Sequence, residues 1–139
     1  MRKQSKNPLP KPMKPASRKA KGSRLERDCA KDIRDAGLDK EAKRMPLSGA
    51  WEGLKSDIFT TLPVSFEMKN QETWSPLEYM KQAENGCRHG EMPIVVMSRN
   101  RLKEPLCLIK WNDLLALMKW AKDGGWLGEL QFSKRRQVK

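Results

Sequence analysis

The chain has 139 residues, 37% of them hydrophobic and 33% charged, and a formal net charge of +12, which suits one domain with a real core and basic tails. No apolar run approaches the ~18 residues of a membrane span, and the basic N-terminus runs into Pro and Lys rather than the apolar stretch of a secretory signal. Three widely spaced cysteines, Cys29, Cys87 and Cys107, argue against a disulfide framework and for a reducing, cytoplasmic setting, and Cys87 with His89 offers too few ligands for zinc.

The first segment, residues 1–21, holds eight basic residues and no acid, with Pro8, Pro10, Pro12 and Pro15 among them. It reads as a disordered basic tail. The segment "SRLERDCAKDIRDAG" then predicts an amphipathic helix. Ser23 and Glu26 match a capping box, Leu25, Cys29, Ile33 and Ala36 form the apolar stripe, and Gly37 supplies the stop. A short edge strand is expected near 42–46, followed by a loop. "SDIFTT" and "VSFEMKN" read as strands on either side of a Leu62–Pro63 turn.

"SPLEYMKQAENG" predicts a second helix, with Ser75 as cap, Pro76 in the first position, Glu78 completing another capping box and Gly86 or Gly90 at the end. "PIVVMS" is a strand buried on both faces, and "PLCLIKW" a further strand. "NDLLALMKWAKDGG" is the last helix, stopped at Gly124, with Trp111 and Trp120 at the core or its rim. Cys87 is expected to be an ordinarily buried cysteine. Residues 22–132 thus form one α/β layered domain with helices around a mixed sheet.

The last seven residues, 133–139, carry four more bases. The two tails together leave 17 of the 29 basic residues to face all 17 acids in the middle, so the positive excess sits wholly in the tails. Such tails suit a polyanion, because each phosphate they neutralise releases a counterion. Lys11, Lys14, Arg18, Lys19, Lys21, Arg135 and Arg136 are the expected nucleic-acid contacts.

The alternation in "VSFEMKN" places Val64, Phe66 and Met68 on one face and Ser65, Glu67 and Lys69 on the other. If the two strands fold symmetrically about Leu62, Asp57 opposes Glu67, with Cβ atoms about 4.5–5.5 Å apart. Two like charges at that separation call for something positive between them, and a hard divalent cation takes carboxylate oxygens. Lys69 falls on the same face as Glu67, where an ammonium can hold a water or a phosphate oxygen.

Asp57 followed by Glu67-Met68-Lys69 resembles the D…(D/E)-x-K signature of the PD-(D/E)xK nucleases. The helix carrying Glu26 and the stretch "RMPLSG", Arg44 to Gly49, ahead of the Asp strand look most like archaeal-type Holliday junction resolvases. The likeness covers residues 22–100. Ser56 stands where the motif's name has proline, and the interval from Asp57 to Glu67 is short.

This resemblance implies a restriction-endonuclease-like three-layer fold with an αβββαβ core. It implies Mg²⁺, with Mn²⁺ as substitute, held by Asp57, Glu67, the Met68 carbonyl and Glu26. Lys69 would hold the attacking water. Ser48 is a candidate phosphate or active-site contact, with an ordinary loop serine as the alternative; Gln82 is a candidate beside the site and on DNA, with plain surface as the alternative; Arg44 is a candidate DNA contact. It further implies DNA as partner, branched or four-way, cut by a homodimer. Glu26 has a competing expectation as a helix cap. Trp51 and Trp74 are expected in loops flanking the site. Another nuclease of the superfamily, or a non-catalytic nucleic-acid binder, are the alternatives.

Overall fold

The computed structural model describes residues 15–45 and 56–125. The elements run α1 (Pro15–Asp35), β1 (Lys43–Arg44), β2 (Ile58–Phe59), β3 (Val64–Asn70), α2 (Pro76–Gly86), β4 (Met92–Ser98), β5 (Leu106–Leu108) and α3 (Trp111–Asp123). Helices and strands follow one another in the order the sequence predicts. A three-stranded sheet has the order β3-β4-β5, with β3 parallel and β5 antiparallel to β4. A separate antiparallel ribbon pairs Lys43 with Phe59 and Arg44 with Ile58. The chain is α/β, with an architecture compatible with the restriction-endonuclease-like fold. None of the described helices is long and apolar enough to cross a membrane.

α1 starts eight residues earlier than expected. Ser23 is internal to the helix, so no Ser23–Glu26 capping box forms, and residues 15–21 belong to α1 rather than to a tail. Proline is at home in a helix's first turn, where its missing N–H costs nothing. The early turns are also tied down by tertiary bonds: Lys21 Nζ meets Glu72 at 3.0 Å, and the Lys21 carbonyl accepts the Asn70 side-chain amide at 3.2 Å. These bonds hold the helix through Gly22, whose conformational freedom disfavours helix by roughly 0.5–1 kcal/mol relative to Ala.

The other end of α1 stops where the sequence says. Gly37 takes φ 72°, its N–H bonds to the Arg34 carbonyl at 3.0 Å, and the Leu38 N–H bonds to the Ile33 carbonyl at 3.2 Å, a Schellman motif. Just beyond, the buried Asp39 carboxylate accepts the N–H groups of Thr61 at 2.7 Å and Glu41 at 2.9 Å and the Thr60 hydroxyl at 2.8 Å. These bonds favour its charged form and hold its carboxyl down at about 2, against an ordinary 3.8. Such a group stabilises the fold above its unfolded pKa, and that contribution is lost as pH falls from about 4 through 2. Asp39→Asn is therefore expected to melt several degrees below wild type at pH 7. The gap should close in melting curves taken near pH 2, and a gap that persists there would detach Asp39 from the acid limb.

The sheet separates two apolar clusters. Leu25, Ala30, Ile58, Met68 and Val96 pack on the α1 side, with Cys29, Ile33, Phe66 and Ile94 at their margin. Tyr79, Met80, Ala83, Val95 and Met97 pack on the α2 side. β4 serves both, which explains its unbroken apolar run: Val95 is 0% exposed, facing α2, and Val96 5%, facing α1. At the start of α2, Pro76 sits in the first turn as expected, but Ser75 makes no side-chain cap and Glu78 instead lies 4.0 Å from Lys81. Cys87 is half-buried, and its thiol bonds to Ser65.

α3 departs from expectation. It ends at Gly124 as predicted, but no residue of it is buried, and Trp111 and Trp120 are 68% and 62% exposed. Its apolar residues occupy two sides of the helix. Only the side bearing Leu114 and Ala121 is half-buried, so the tryptophans are not part of the core.

Candidate active site

The site forms along the outer edge of β3, the edge that β4 does not cover. The hairpin expected between β2 and β3 is absent, because β2 pairs with β1. Residues 56 and 57 approach β3 nonetheless. The Asp57 N–H donates to the Phe66 carbonyl at 2.9 Å, and the Phe66 N–H donates to Ser56 Oγ at 3.0 Å. The Met68 N–H donates to Asp57 Oδ2 at 2.8 Å. One backbone bond and two side-chain bonds thus satisfy an edge that a regular strand would have paired through its backbone alone. Ser56, standing where the motif has proline, also donates its hydroxyl to the Ile58 carbonyl at 2.9 Å. Asp57 ends up level with residues 66–68, close to the expected position but by a different route.

Parallel pairing with β4 places Glu67 beside Val95 and Lys69 beside Met97, on the face that α2 covers. The polar half of "VSFEMKN" is therefore not a solvated strand face. Ser65 is 2% exposed, and the side chains of Glu67 and Lys69 are 18% and 16% exposed. The Lys69 ammonium lies 3.0 Å from Glu67 Oε1 and 5.3 Å from the centre of the Tyr79 ring, within cation–π range. Tyr79 is fixed in turn, its hydroxyl donating to Gln71 Oε1 at 2.8 Å with the Thr73 carbonyl at 3.2 Å. Sequence reasoning missed Tyr79, because a tyrosine on the inner stripe of a helix looks like core. Its spacing to Ala83 marks the inner stripe of α2, but nothing in the sequence says that this stripe covers the E-x-K face.

Glu26 approaches from α1 and binds Arg44 of β1, Nε to Oε2 at 2.5 Å, with side-chain exposures of 16% and 29%. The competitor to a chemical role is thus an ion pair and not a helix cap. Burial raises the Glu26 carboxyl above its ordinary value, against the Arg44 bond, which lowers it, and with the charge of Asp57, which raises it further. Burial likewise raises Glu67, reinforced by Asp57 and more weakly by Glu26, and opposed by Lys69. Asp57 therefore acts electrostatically on both glutamates, across the two faces of the sheet.

All the acidic donors here are oxygens, the chemistry of a hard divalent ion, and two of the three are held above their ordinary pKa, so a cation would relieve them. As they stand, their oxygens are engaged by Met68, Lys69 and Arg44. Among the described residues, no group of three or more His, Cys, Asp or Glu side chains is already gathered as a metal ligand set. The oxygens fit such an ion, but not without rearrangement.

The remaining expected residues are scattered. Ser48, Trp51, Lys11, Lys14, Arg135 and Arg136 lie outside the described residues. Arg18 and Lys19 fall on the first turns of α1. Lys21 is held by Glu72, and Arg44 by Glu26. Gln82 is exposed on α2 and is not brought to the acids by any described contact. Trp74 lies at the loop before α2, its indole N–H directed at the carbonyls of Gln71 at 2.9 Å and Ser98 at 3.2 Å.

Residues 17–124 match a protein family described as "Phage putative PDDEXK endonuclease". The chain belongs to this family. The match spans α1 to the end of α3 and takes in Glu26, Asp57, Glu67 and Lys69. This is a nuclease family, and membership supports the PD-(D/E)xK superfamily without favouring its resolvase branch. No curated protein and no solved structure matches the chain.

Proposed function

We propose that the chain is a metal-dependent DNA endonuclease whose preferred substrate is a four-way junction. The observation that carries the hydrolytic reading is the meeting of Asp57, Glu67 and Lys69 at one half-buried strand edge, with Glu26 in electrostatic range. A resident Mg²⁺, or Mn²⁺ in its place, would be held by Asp57, Glu67 and the Met68 carbonyl, with Glu26 beside them. Such an ion supplies Lewis acidity toward a phosphoryl oxygen and a water of lowered pKa.

The protein's own groups do the rest. Lys69, steadied by the Tyr79 ring, orients the attacking water and stabilises negative charge as it grows on the phosphorus oxygens. Arg44, released from Glu26 when that carboxylate turns to other work, is free to face a phosphate. The products would be 5′-phosphate and 3′-hydroxyl ends. The basic termini add affinity without reading sequence.

The junction preference rests on the likeness of Glu26, "RMPLSG" and Asp57 to the archaeal-type resolvases. Paired, symmetric cuts across a junction require two copies related by a twofold axis. The exposed side of α3, with Trp111, Leu115 and Met118, offers apolar surface for a second copy.

Incubation of labelled four-way junction, flap and plain duplex with Mg²⁺ and with EDTA tests the proposal. Symmetric cleavage of the junction, abolished by EDTA, is the expected outcome. Equal cleavage of plain duplex would retain the nuclease and remove the junction preference. Binding with no metal-dependent cleavage of any substrate would leave a non-catalytic DNA-binding protein.

A further inference from the structure

The turn between β4 and β5, residues 99–105, carries Arg99, Arg101 and Lys103 against a single acid, Glu104. It lies at the carboxyl end of β4, which is also the carboxyl end of its parallel neighbour β3, since Asn70 pairs with Ser98. Open α/β sheets take ligands outside the carboxyl ends of their parallel strands, and the acids and Lys69 occupy the adjoining stretch of β3.

The turn is built rather than loose. Glu72 accepts the Asn100 N–H at 2.9 Å and the Lys21 ammonium at 3.0 Å, and these bonds hold its carboxyl below the usual range. Its charge is met by Lys21, and more weakly by the Arg99 guanidinium. The Arg99 guanidinium lies over the Trp74 ring, 5.5 Å from its centre, and the indole is itself anchored to both strand ends through the Gln71 and Ser98 carbonyls. A stacked guanidinium loses less freedom on binding a phosphate than a free one. Arg101 holds φ 65°, a left-handed conformation uncommon for a residue with a Cβ. Arg99, Arg101 and Lys103 are all exposed or nearly so, and among the described residues none of them forms an ion pair.

Glu67 pairs with Val95, so Arg99 stands four residues further along the sheet, about 13 Å at 3.3 Å per residue. In a duplex, each strand carries a phosphate about every 3.4 Å of axis, so a duplex laid along the strands would meet Arg99 some four nucleotides from the bond presented to Glu67 and Lys69.

We propose that the β4–β5 turn is a second grip on the DNA backbone, in which Arg99, Arg101 and Lys103 bind phosphates several nucleotides from the scissile one. This rests on the nuclease reading for its substrate, but it is tested by binding alone. The triple variant Arg99→Gln/Arg101→Gln/Lys103→Gln is titrated against a labelled duplex in EDTA, by fluorescence anisotropy, at a series of salt concentrations. The control is Lys31→Gln/Lys40→Gln/Arg88→Gln, which removes the same charge at the opposite end of the strands.

The turn variant should bind at least tenfold more weakly at low salt, with the slope of log affinity against log salt shallower by about two to three units, since each lost phosphate contact accounts for about 0.9. The control should keep the wild-type slope. The single change Arg101→Gln should remove about one unit and serves if the triple variant is poorly folded. Equal losses in both triple variants would reduce the effect to overall charge, and an unchanged slope in the turn variants would overturn the proposal. Weakened binding in a protein that never cleaves would sink the nuclease reading and leave the grip standing.

Discussion

Asp57→Asn is expected to abolish metal-dependent cleavage, with a loss of at least about a hundredfold, while leaving the metal-free fold nearly as stable as wild type. The Asp57 carboxylate has two tasks. It accepts the Met68 N–H at 2.8 Å, and its charge raises both Glu67 and Glu26. An asparagine turned with its carbonyl toward Met68 keeps the first task and loses the second. Asp57→Ala loses both and leaves a buried backbone donor without a partner, a cost of about 1–3 kcal/mol.

Metal response then separates the variants. A ligand that binds only the folded state stabilises it by mass action, by about 2.7 kcal/mol at a hundred times its dissociation constant. Wild type should rise in melting temperature with Mn²⁺ or Mg²⁺, whereas Asp57→Asn should barely respond. If calorimetric titration shows Mn²⁺ binding equally well to wild type and Asp57→Asn, and both cut DNA alike, Asp57 is only a stitch in the sheet edge.

Lys69→Ala divides the site differently. The ammonium is not a metal ligand, so the thermal response to Mn²⁺ should survive. Turnover should fall about 10²–10³-fold, the usual scale for removing one prearranged donor from a developing charge. In EDTA the same variant should also lose stability, because the half-buried Glu67 loses its partner at 3.0 Å. An unmatched group of this kind costs about 1–3 kcal/mol. Adding Glu67→Gln should recover that stability without recovering cleavage. Cleavage at wild-type rate in Lys69→Ala would remove the lysine from the chemistry and leave it as a counterion for Glu67.

The order of elements was legible because each has its own local punctuation. Gly37 closes α1 through a left-handed residue, Pro76 opens α2, and the run "PIVVMS" has no polar face because helices cover both sides of β4. What escaped the sequence depends on partners distant along the chain. The early turns of α1 are held at Lys21 by Glu72 and Asn70, some fifty residues away, so a local capping box at Ser23 was the wrong guide. The partner of β2 turned out to be β1, because spacing around Leu62–Pro63 reveals that a chain reverses but not which edge it joins.

Alternation in "VSFEMKN" correctly assigned Glu67 and Lys69 to one face. It could not say that α2 covers that face, and the covering is what raises Glu67 and seats Lys69 over Tyr79. The tryptophans of α3 misled for a related reason. A large apolar side chain favours burial, yet nothing in its own segment says whether a surface exists to receive it.

The early start of α1 changes what the basic N-terminal stretch is as an object. In an extended strand, Arg18, Lys19 and Lys21 would be spread over about 10 Å, at roughly 3.3 Å per residue. On a helix rising 1.5 Å per residue their backbone positions fall within about 5 Å of axis, and the helix is moored at its Lys21 turn to the end of β3. The charge is thereby borne on a short, stiff spar fixed to the body of the protein. A polyanion meeting it encounters a fixed direction as well as an attraction, and a sheet edge carrying the acids lies at the foot of the spar.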